Sequence, residues 1–457
     1  MDGAGGKRAA FRRDWTKGSI IRNLLLLSWP MVINQSLNVM GPTIDLVWVG
    51  QLGAISIAGV GVAGMVVMLA NTMMMGLVMG VRAMIARFIG AGDIEAANQV
   101  ARQAFVISAT FSTVVVSTGV FFAAPILGLF GLEHEVIVEG ATYMRIMLIG
   151  SVAMSFRMMG DGIMQSSGDA MNPMKIAVLF RFFHVVLCPF LVFGWWIFPS
   201  MGVGGAALSN VISQSLGMVL GLRVLLTGRS RLWLNLSNFH LAPDVLWRVV
   251  KIGVPASVMG MGRTLGHLML MRFMVPFGTL AVAAHTVCQR IDMILIMLGI
   301  GLGVGSGVLV GQNLGARQPE RAEKSGWLGA GFVEAAMFIG SMIILLGAEN
   351  IVRVFNAEPG LVELASTFMR IATVGYLMLG FTTVLQFSIS GAGDTLPPML
   401  ATLVIIWLVQ IPLALLLSQH TALNVYGVRW SIAISMIVGA MIYIIYFRLG
   451  RWKLKGI

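Results

Sequence analysis

A single aspartate, Asp45, lies in the first long apolar stretch of this 457-residue chain. A carboxyl group in apolar surroundings can bind and release a proton or hold a cation. Asn34 and Asn38 precede it by eleven and seven residues, spacings that place the three side chains broadly on one face of a helix. The step Gly41-Pro42 removes a backbone hydrogen bond and could let that helix bend. These residues form a candidate ion-binding face; the alternative is an aspartate in water near the helix end.

The composition indicates where such a helix must lie. Hydrophobic residues make up 57% of the chain and charged residues 11%, and the mean hydropathy is +0.88. Apolar runs of about 20 residues recur, and each must be a helix because lipid offers the backbone no hydrogen-bond partners. The first run is too long for a removable signal peptide and lacks a small-residue cleavage pattern. The sequence therefore predicts an all-α polytopic membrane protein in a lipid bilayer.

Twelve transmembrane helices are predicted, six in each half of the chain. They lie at about residues 24–49, 55–80, 103–128, 141–166, 173–198, 203–226, 248–275, 280–308, 327–348, 366–391, 398–418 and 428–448. The predicted domains are an N-terminal arm (1–22), a six-helix bundle (23–227), a linker (228–247), a second six-helix bundle (248–448) and a tail (449–457).

Lysine and arginine residues identify the side that faces the cytoplasm. They collect in both tails, in the central linker and in the turns around 87–102 and 317–324, and the opposite loops are poorer in them. One opposite loop, around Glu133, His134, Glu135 and Glu139, is acidic. An even number of helices puts both termini on one side, so we expect an inner-membrane protein with cytoplasmic termini. This distribution accounts for the net charge of +12 without nucleic acid as a partner.

Residues of the two halves match at a constant difference in residue number, the difference between Pro30 and Pro255. We call this difference the repeat offset. The stretch Gly307–Arg317, which closes an apolar run, has a counterpart at Arg87–Glu95. Matches concentrate where backbone geometry or polarity restricts the residue type, as in Gly80 and Gly305, Gly90 and Gly315, Gly168 and Gly393, and Asp169 and Asp394. Six helices per half make the repeats parallel, an arrangement that in transporters places the sites near mid-membrane and gives alternating access. A duplicated channel or receptor is the alternative.

Several stretches of the chain resemble the MATE (multidrug and toxic compound extrusion) family. They are Ile44–Gly50, Gly162–Lys175, Ala283–Asp292 with Leu309–Ala316, and Ser390–Thr395. The resemblance covers roughly residues 20–450. It implies two six-helix bundles and export of organic cations driven by inward Na⁺ or H⁺, and Asp45 matches the family's acid in the first helix.

The fifth predicted helix departs from this family. Where many members have an asparagine and, four residues on, an aspartate followed by proline, this chain has His184, Cys188 and Pro189. The missing carboxylate argues against Na⁺, which prefers oxygen ligands, whereas imidazole changes charge near physiological pH and could relay protons. A buried neutral histidine satisfied by a neighbour is an equal alternative for His184. We favour H⁺ over Na⁺, with these coupling-ion candidates: Asp45, His184, Cys188, Asn38 and Asn34.

The second half departs as well. Arg263 follows Pro255 by eight residues, where one branch of the family carries an acid, and no acid stands near Leu379 or Gly380 in the tenth helix. A cation site in this half is therefore not expected. A buried Arg263 would need a carboxylate or a water-filled cavity, and it could repel cationic drugs or hold an anionic group.

Other candidates for the cavity lie in the second half. Arg290 and Asp292 fit the family pattern of the eighth helix, and we prefer a structural ion-pair role for them over substrate contact. The remaining candidates are Gln386, Gln410 and Trp407.

The sequence predicts a secondary antiporter that exports amphipathic or cationic small molecules in exchange for H⁺ or Na⁺. The alternatives are an exporter or flippase of anionic or lipid-linked metabolites and an uncoupled channel or receptor. An enzyme, a metal site and a cofactor are not expected, because the sequence shows no metal-ligand spacing and no nucleophile with a base. The glycine-rich run Gly299–Gly311 lacks the Lys-Ser/Thr ending of a phosphate loop and indicates close helix packing. We expect a monomer with free cysteines.

Overall fold

The computed structural model describes residues 13–131, 133–235, 239–355 and 358–456. Most of the predicted N-terminal arm, including Lys7, Arg8 and Arg12, lies outside the described residues. Within the described residues the chain is helical and contains no strand. This confirms the predicted all-α fold class.

The α-helices are numbered here in chain order. They are α1 (Ile20–Val49), α2 (Ala54–Ala91), α3 (Ile94–Gly128), α4 (His134–Ile149), α5 (Ser151–Ser167), α6 (Met171–Phe193), α7 (Gly202–Leu226), α8 (Pro243–Met274), α9 (Thr279–Gly315), α10 (Pro319–Arg353), α11 (Pro359–Tyr376), α12 (Leu379–Gly391), α13 (Leu396–Leu403), α14 (Ile411–Gln419) and α15 (Val425–Leu449). A π-helical segment, Val404–Gln410, joins α13 to α14, and short 3-10 helices follow α1, α8 and α15.

These helices account for the twelve predicted spans. Among the described residues, nine continuous helical stretches are long and apolar enough to cross a membrane, with α13–α14 counted as one. The bent pairs α4–α5 (46°) and α11–α12 (48°) can supply two more. The helix α1 is not among them, because its polar residues Asn34, Asn38 and Asp45 lower its hydropathy. With 30 residues it is about 45 Å long, enough to cross the bilayer.

Several helices extend beyond the apolar runs that predicted them. The second predicted helix ends at 80, but α2 continues to Ala91 and α3 begins at Ile94, so the intervening turn is short. Gly92 has a φ of 80°, and the Asp93 side chain accepts a hydrogen bond from the backbone N–H of Ala96 at 2.9 Å. The prediction of an acidic loop at these residues is wrong in part, because α4 begins at His134 and includes Glu135 and Glu139. Hydropathy marks the part of a helix that lipid surrounds, whereas the hydrogen-bond ladder continues past it.

The helices form two compact units. The first contains Ile33–Val254, and the second contains Trp15–Val32 together with Pro255–Ile457. The boundaries fall inside α1 and α8, whereas the predicted bundles began at residues 23 and 248. In the second unit Ser28 lies against Gly305, and in the first unit Gly80 lies against Gly253. The repeat offset relates these two contacts to each other.

Glycines allow the closest helix crossings in the second unit. The backbone of Gly391 in α12 lies so near that of Gly307 in α9 that an added Cβ on Gly391 would stand 2.3 Å from the Gly307 carbonyl oxygen. The glycine-rich run of α9 is buried along its length. It therefore serves helix packing, as its sequence indicated.

Two repeat-related aspartates anchor the segments that follow each half. Asp169 accepts a hydrogen bond from the Ser230 hydroxyl at 2.8 Å, and Asp394 lies 3.3 Å from the Lys455 ammonium group. Ser230 and Lys455 are themselves related by the repeat offset. Burial lowers the pKa of Arg231 beside this contact, and the Asp169 carboxylate opposes that shift. The linker and the tail are thus held at matching positions of their own halves.

Candidate functional site

The carboxylate of Asp45 is enclosed by hydrogen-bond donors from three other helices. His184 Nε2 in α6 lies 2.9 Å from its Oδ1, and the Tyr143 hydroxyl in α4 donates to its Oδ2 at 2.9 Å. Asn210 Nδ2 in α7 donates to the same Oδ2 at 3.1 Å. The exposed fraction of Asp45 is 0%. The structure therefore places this aspartate inside the first unit, away from the water that the alternative interpretation required.

The surroundings of His184 determine its tautomer. Its Nδ1 lies 3.0 Å from Nη1 of Arg181, and both side chains are buried. A guanidinium group can only donate, so Nδ1 accepts, and the proton of a neutral imidazole stands on Nε2. That N–H points at Asp45 and donates to it. The contacts describe an ionised aspartate beside a neutral histidine, which is also the buried, satisfied histidine named as an alternative.

Arg181 also replaces a backbone donor that α1 lacks. Pro42 has no N–H, so the carbonyl of Asn38, four residues earlier, has no partner in the helix ladder. Nη2 of Arg181 donates to this carbonyl oxygen at 3.4 Å. Gly41 leaves the room for it, because an added Cβ there would stand 2.6 Å from Nη1 and 2.9 Å from Nη2 of Arg181. The Gly41-Pro42 step thus creates a binding place for the guanidinium group, and α1 is one helix across it.

A buried ion pair lies in α5. Nη1 of Arg157 is 2.6 Å from a carboxylate oxygen of Asp161, one helical turn away, and both side chains are buried. Nε of Arg157 donates to Gln214 at 2.5 Å, and the Gln214 amide lies 3.5 Å from Oδ1 of Asn210. Since Asn210 also binds Asp45, polar contacts run without a break from Asp45 to Asp161.

A small cavity adjoins this ion pair. It has a volume of about 30 Å³ and is lined by Asn34, Gln35, Asn38, Met75, Val78, Arg82, Met158 and Asp161. That volume holds a water molecule or the end of a ligand group. Acidic, basic, amide and thioether side chains meet here, so the cavity can contact both polar and apolar parts of a molecule.

The asparagines of α1 take part in the site without touching Asp45. Asn38 Nδ2 donates to Asn34 Oδ1 at 3.0 Å, and Asn34 Nδ2 donates to the backbone carbonyl of Pro173 at 3.1 Å. Both line the cavity. The predicted common face is therefore present, but Asn34 and Asn38 line the cavity, whereas Asp45 binds His184.

Cys188 completes a group of possible metal ligands. One ligand atom each from Asp45, His184 and Cys188 lie within 4.8 Å of one another, and all three residues are buried. In this state, however, His184 donates through Nε2 and accepts through Nδ1, so neither ring nitrogen offers a free lone pair. The arrangement fits a hydrogen-bond network better than a metal centre.

Several members of this site were absent from the sequence-based prediction. Arg157 and Asp161 were visible as charged residues four apart in an apolar run, and Arg181 as a charge three residues before His184. Intramembrane charges of this kind indicate function by default. Tyr143 gave no comparable signal, because its hydrogen bond to Asp45 joins two helices that are distant in the sequence.

In the second unit, the repeat places different residues at the matching positions. The repeat offset takes Asn38 to Arg263 and Asp161 to Gln386. Nη2 of Arg263 donates to Oε1 of Gln386 at 2.8 Å. Among the described residues, Arg263 has no carboxylate within ion-pair distance. The second unit thus carries a guanidinium group where the first unit has the Asn38 amide, and the Gln386 amide where the first unit has the Asp161 carboxylate.

The other candidates of the second unit fall in separate places. Asp292 forms an ion pair with Arg429 of α15 at 3.0 Å and accepts a hydrogen bond from the Tyr376 hydroxyl, whereas Arg290 is exposed. The sequence did not identify Arg429 as the partner. Gln410 is buried and Trp407 partly buried, and both lie in the π-helical segment. A π-helical turn before Pro412 is expected, since that proline removes a ladder hydrogen bond.

Comparison with known proteins identifies the family of this chain. The MatE family model matches residues 30–190 and 255–416, and the two matches begin at Pro30 and Pro255, the pair that defines the repeat offset. The probable multidrug resistance protein NorM of Thermotoga maritima is 24% identical over 442 residues, 96% of this chain and 94% of that protein. The uncharacterized transporter YisQ of Bacillus subtilis is 24% identical over 439 residues, 94% of either chain.

Solved structures share the fold. An outward-facing multidrug resistance MATE transporter of the MOP superfamily has a TM-score of 0.90 at 23% identity, covering 95% of this chain and 96% of that one. A MOP superfamily transporter from Pyrococcus furiosus, described by the reverse polarity of its binding pocket, has a TM-score of 0.90 at 24% identity, covering 97% and 98%. Since the family model matches most of the chain, in both repeats, this protein belongs to the MATE family of membrane transporters.

Proposed function

We propose that this transporter exports amphipathic small molecules in exchange for protons that bind at the pair Asp45–His184. The observation that carries the proposal is the buried hydrogen bond of 2.9 Å between these two side chains in a membrane-spanning part of the fold. The positive charge of the linker and both tails supports a place in the inner membrane with cytoplasmic termini.

A proton suits this pair better than Na⁺. Both oxygens of Asp45 already accept hydrogen bonds, from His184, Tyr143 and Asn210. A sodium ion would have to displace these donors and would stand near the Arg181 guanidinium group, which repels it. A proton needs no new ligands, because a carboxyl group can hold it in the same place.

Substrate and proton can communicate through the polar contacts described above. Protonation removes the charge of Asp45 and weakens the hydrogen bond from Asn210, since charge-assisted bonds are the stronger ones. Asn210 contacts Gln214, which binds Arg157, which in turn holds Asp161 at the cavity. A substrate bound at Asp161 and a proton bound at Asp45 would therefore compete through shared partners.

The proposal is tested by reconstituting Asp45→Asn in proteoliposomes and measuring substrate export driven by a pH gradient. The amide keeps the shape but cannot take up a proton, so export against a substrate gradient should fall to the background of empty vesicles. Asp244→Asn is the control, since this aspartate is exposed at the start of α8. Unimpaired gradient-driven export by the Asp45→Asn protein would sink the assignment.

A second candidate is export of anionic or lipid-linked compounds. It is favoured by Arg263, which has no carboxylate partner among the described residues, and by Arg82 at the cavity of the first unit. The similar transporter from Pyrococcus furiosus is likewise described by a reversed pocket polarity. Export of matched cationic and anionic dyes separates the two candidates, because Arg263→Gln should reduce export of the anionic dye alone. Flux of either dye without any ion gradient would instead support an uncoupled channel.

A further inference from the structure

The second unit contains a carboxyl group that the proposed site does not use. Glu334 lies in α10, which has 35 residues, and it is fifteen residues from the helix start. At 1.5 Å per residue this is about 22 Å along the axis, close to the middle of the helix. An ionised side chain at such a depth costs free energy unless a partner or water compensates it.

Glu334 caps a broken helix. The helices α11 and α12 are bent by 48° at the break between Tyr376 and Leu379. The first N–H groups of α12 have no carbonyl partners within that helix. Oε1 of Glu334 accepts a hydrogen bond from the N–H of Phe381 at 3.1 Å, and the N–H of Gly380 also bonds to this carboxylate. The side chain thus stabilises the bend.

The other oxygen, Oε2, is buried and has no hydrogen-bond partner in the described part of the chain. Within the same residues, no ion pair compensates the carboxylate either. The neighbouring helices α9, α11 and α12 carry few charged or titratable side chains. They are His285, Cys288, Arg290 and Asp292 in α9 and Glu363, Arg370 and Tyr376 in α11, with none in α12.

Two of these charged groups are engaged elsewhere. Asp292 is held by Arg429 at 3.0 Å, and Arg370 lies 3.4 Å from Glu349 near the far end of α10. The polar partners of Glu334 are the two backbone N–H groups. Oε2 has neither a hydrogen-bond donor nor a cation beside it among the described residues, so a proton would add to this oxygen.

The first unit has no carboxylate at the matching place. Its bent pair, α4–α5, corresponds to α11–α12 through the repeat, and the repeat offset pairs Glu334 with Ala109. The carboxylate is therefore not shared by the two repeats and belongs to the second unit alone.

We propose that Glu334 is a second proton-binding site and that its proton controls the bend between α11 and α12. A hydronium ion transfers a proton to Oε2: one of its O–H bonds breaks, an O–H bond to Oε2 forms, and a water molecule and a neutral carboxyl group result. Neutral oxygen accepts the N–H groups of Gly380 and Phe381 less strongly than a carboxylate does, so the bend loosens. The proposal rests on proton coupling in the protein and adds a site in its second half.

Infrared difference spectroscopy of the lipid-reconstituted full-length protein, between alkaline and acidic buffer, tests the proposal. Protonated carboxyl groups give C=O stretching bands at higher wavenumber than the bands of amides. We expect Glu334→Gln to delete one band that Asp45→Asn retains, and Glu334→Asp to shift that band. Glu349→Gln, which changes an exposed carboxylate in the same helix, should leave this band unchanged.

A spectrum of Glu334→Gln identical to that of the unmodified protein, with Glu334→Asp likewise unchanged, would overturn the inference and leave the role of Asp45 intact. If Glu334→Gln does not fold, the band shift in Glu334→Asp decides. Loss of export in Asp45→Asn bears only on the proposed function, because the band from Glu334 is read separately.

Discussion

Replacing Gly41 by alanine tests how Arg181 controls the proton-binding pair. The added Cβ would stand 2.6 Å and 2.9 Å from the two terminal nitrogens of Arg181. The end of a long side chain can move away, so we expect the fold to persist. Arg181 should then lose its hydrogen bonds to His184 and to the Asn38 carbonyl.

The magnitude follows from the contact that is lost. A hydrogen bond to a charged group contributes about 1.5–3 kcal/mol. Without Arg181 in place, His184 loses the donor that fixes its Nε2–H toward Asp45. Since about 1.36 kcal/mol corresponds to a factor of ten in rate, export driven by a pH gradient should fall by about tenfold to a hundredfold.

The assay is export of a fluorescent substrate by proteoliposomes under a fixed pH gradient. Arg181→Gln should reduce export by a similar factor. Gly61→Ala is the matched control, since a Cβ on Gly61 in α2 meets no atom within 4 Å. Export by Gly41→Ala at the rate of the unmodified protein would refute the role given to Arg181.

Two further changes test the frame of the second unit. Gly391→Ala should lower the melting temperature strongly, because its Cβ meets the backbone of Gly307, and overpacking costs about 1–3 kcal/mol or more. In the control Gly331→Ala the added Cβ meets no atom within 4 Å, so this variant should melt at the temperature of the unmodified protein. Equal melting temperatures of the two variants would contradict the close crossing of Gly391 and Gly307. Arg429→Gln leaves the charge of Asp292 without its cation; the loss for a fully buried pair is about 3–5 kcal/mol, and it is smaller here because Asp292 is partly exposed. Thermal unfolding should show the loss, and adding Asp292→Asn should restore part of it; no recovery would argue against the pair.

The class, the spans and the repeat were predictable because the bilayer restricts the sequence. Apolar length and loop charge carry that information, and the repeat offset appears wherever glycine or proline is needed, as at Gly80 and Gly305. The ends of the helices were not predictable in the same way. The helix α2 continues past its apolar run to Ala91, since water can surround a helix as well as lipid can.

The candidate site was predictable only in part. Asp45 is conspicuous as a lone charge in an apolar run, and His184 because it stands where the family carries an asparagine. Tyr143 and Asn210 reach Asp45 from other spans, and a single sequence does not state which faces of distant helices meet. Arg181 was overlooked for another reason, since its place depends on the carbonyl that Pro42 leaves free and on the space at Gly41.

The most direct test of the central claim compares two driving forces on the unmodified protein. Proteoliposomes loaded with a fluorescent substrate receive either a pH gradient in sodium-free buffer or a Na⁺ gradient at equal pH on both sides. Proton binding at Asp45–His184 predicts transport with the pH gradient and none with the Na⁺ gradient. Transport driven by Na⁺ alone, with no response to the pH gradient, would contradict it.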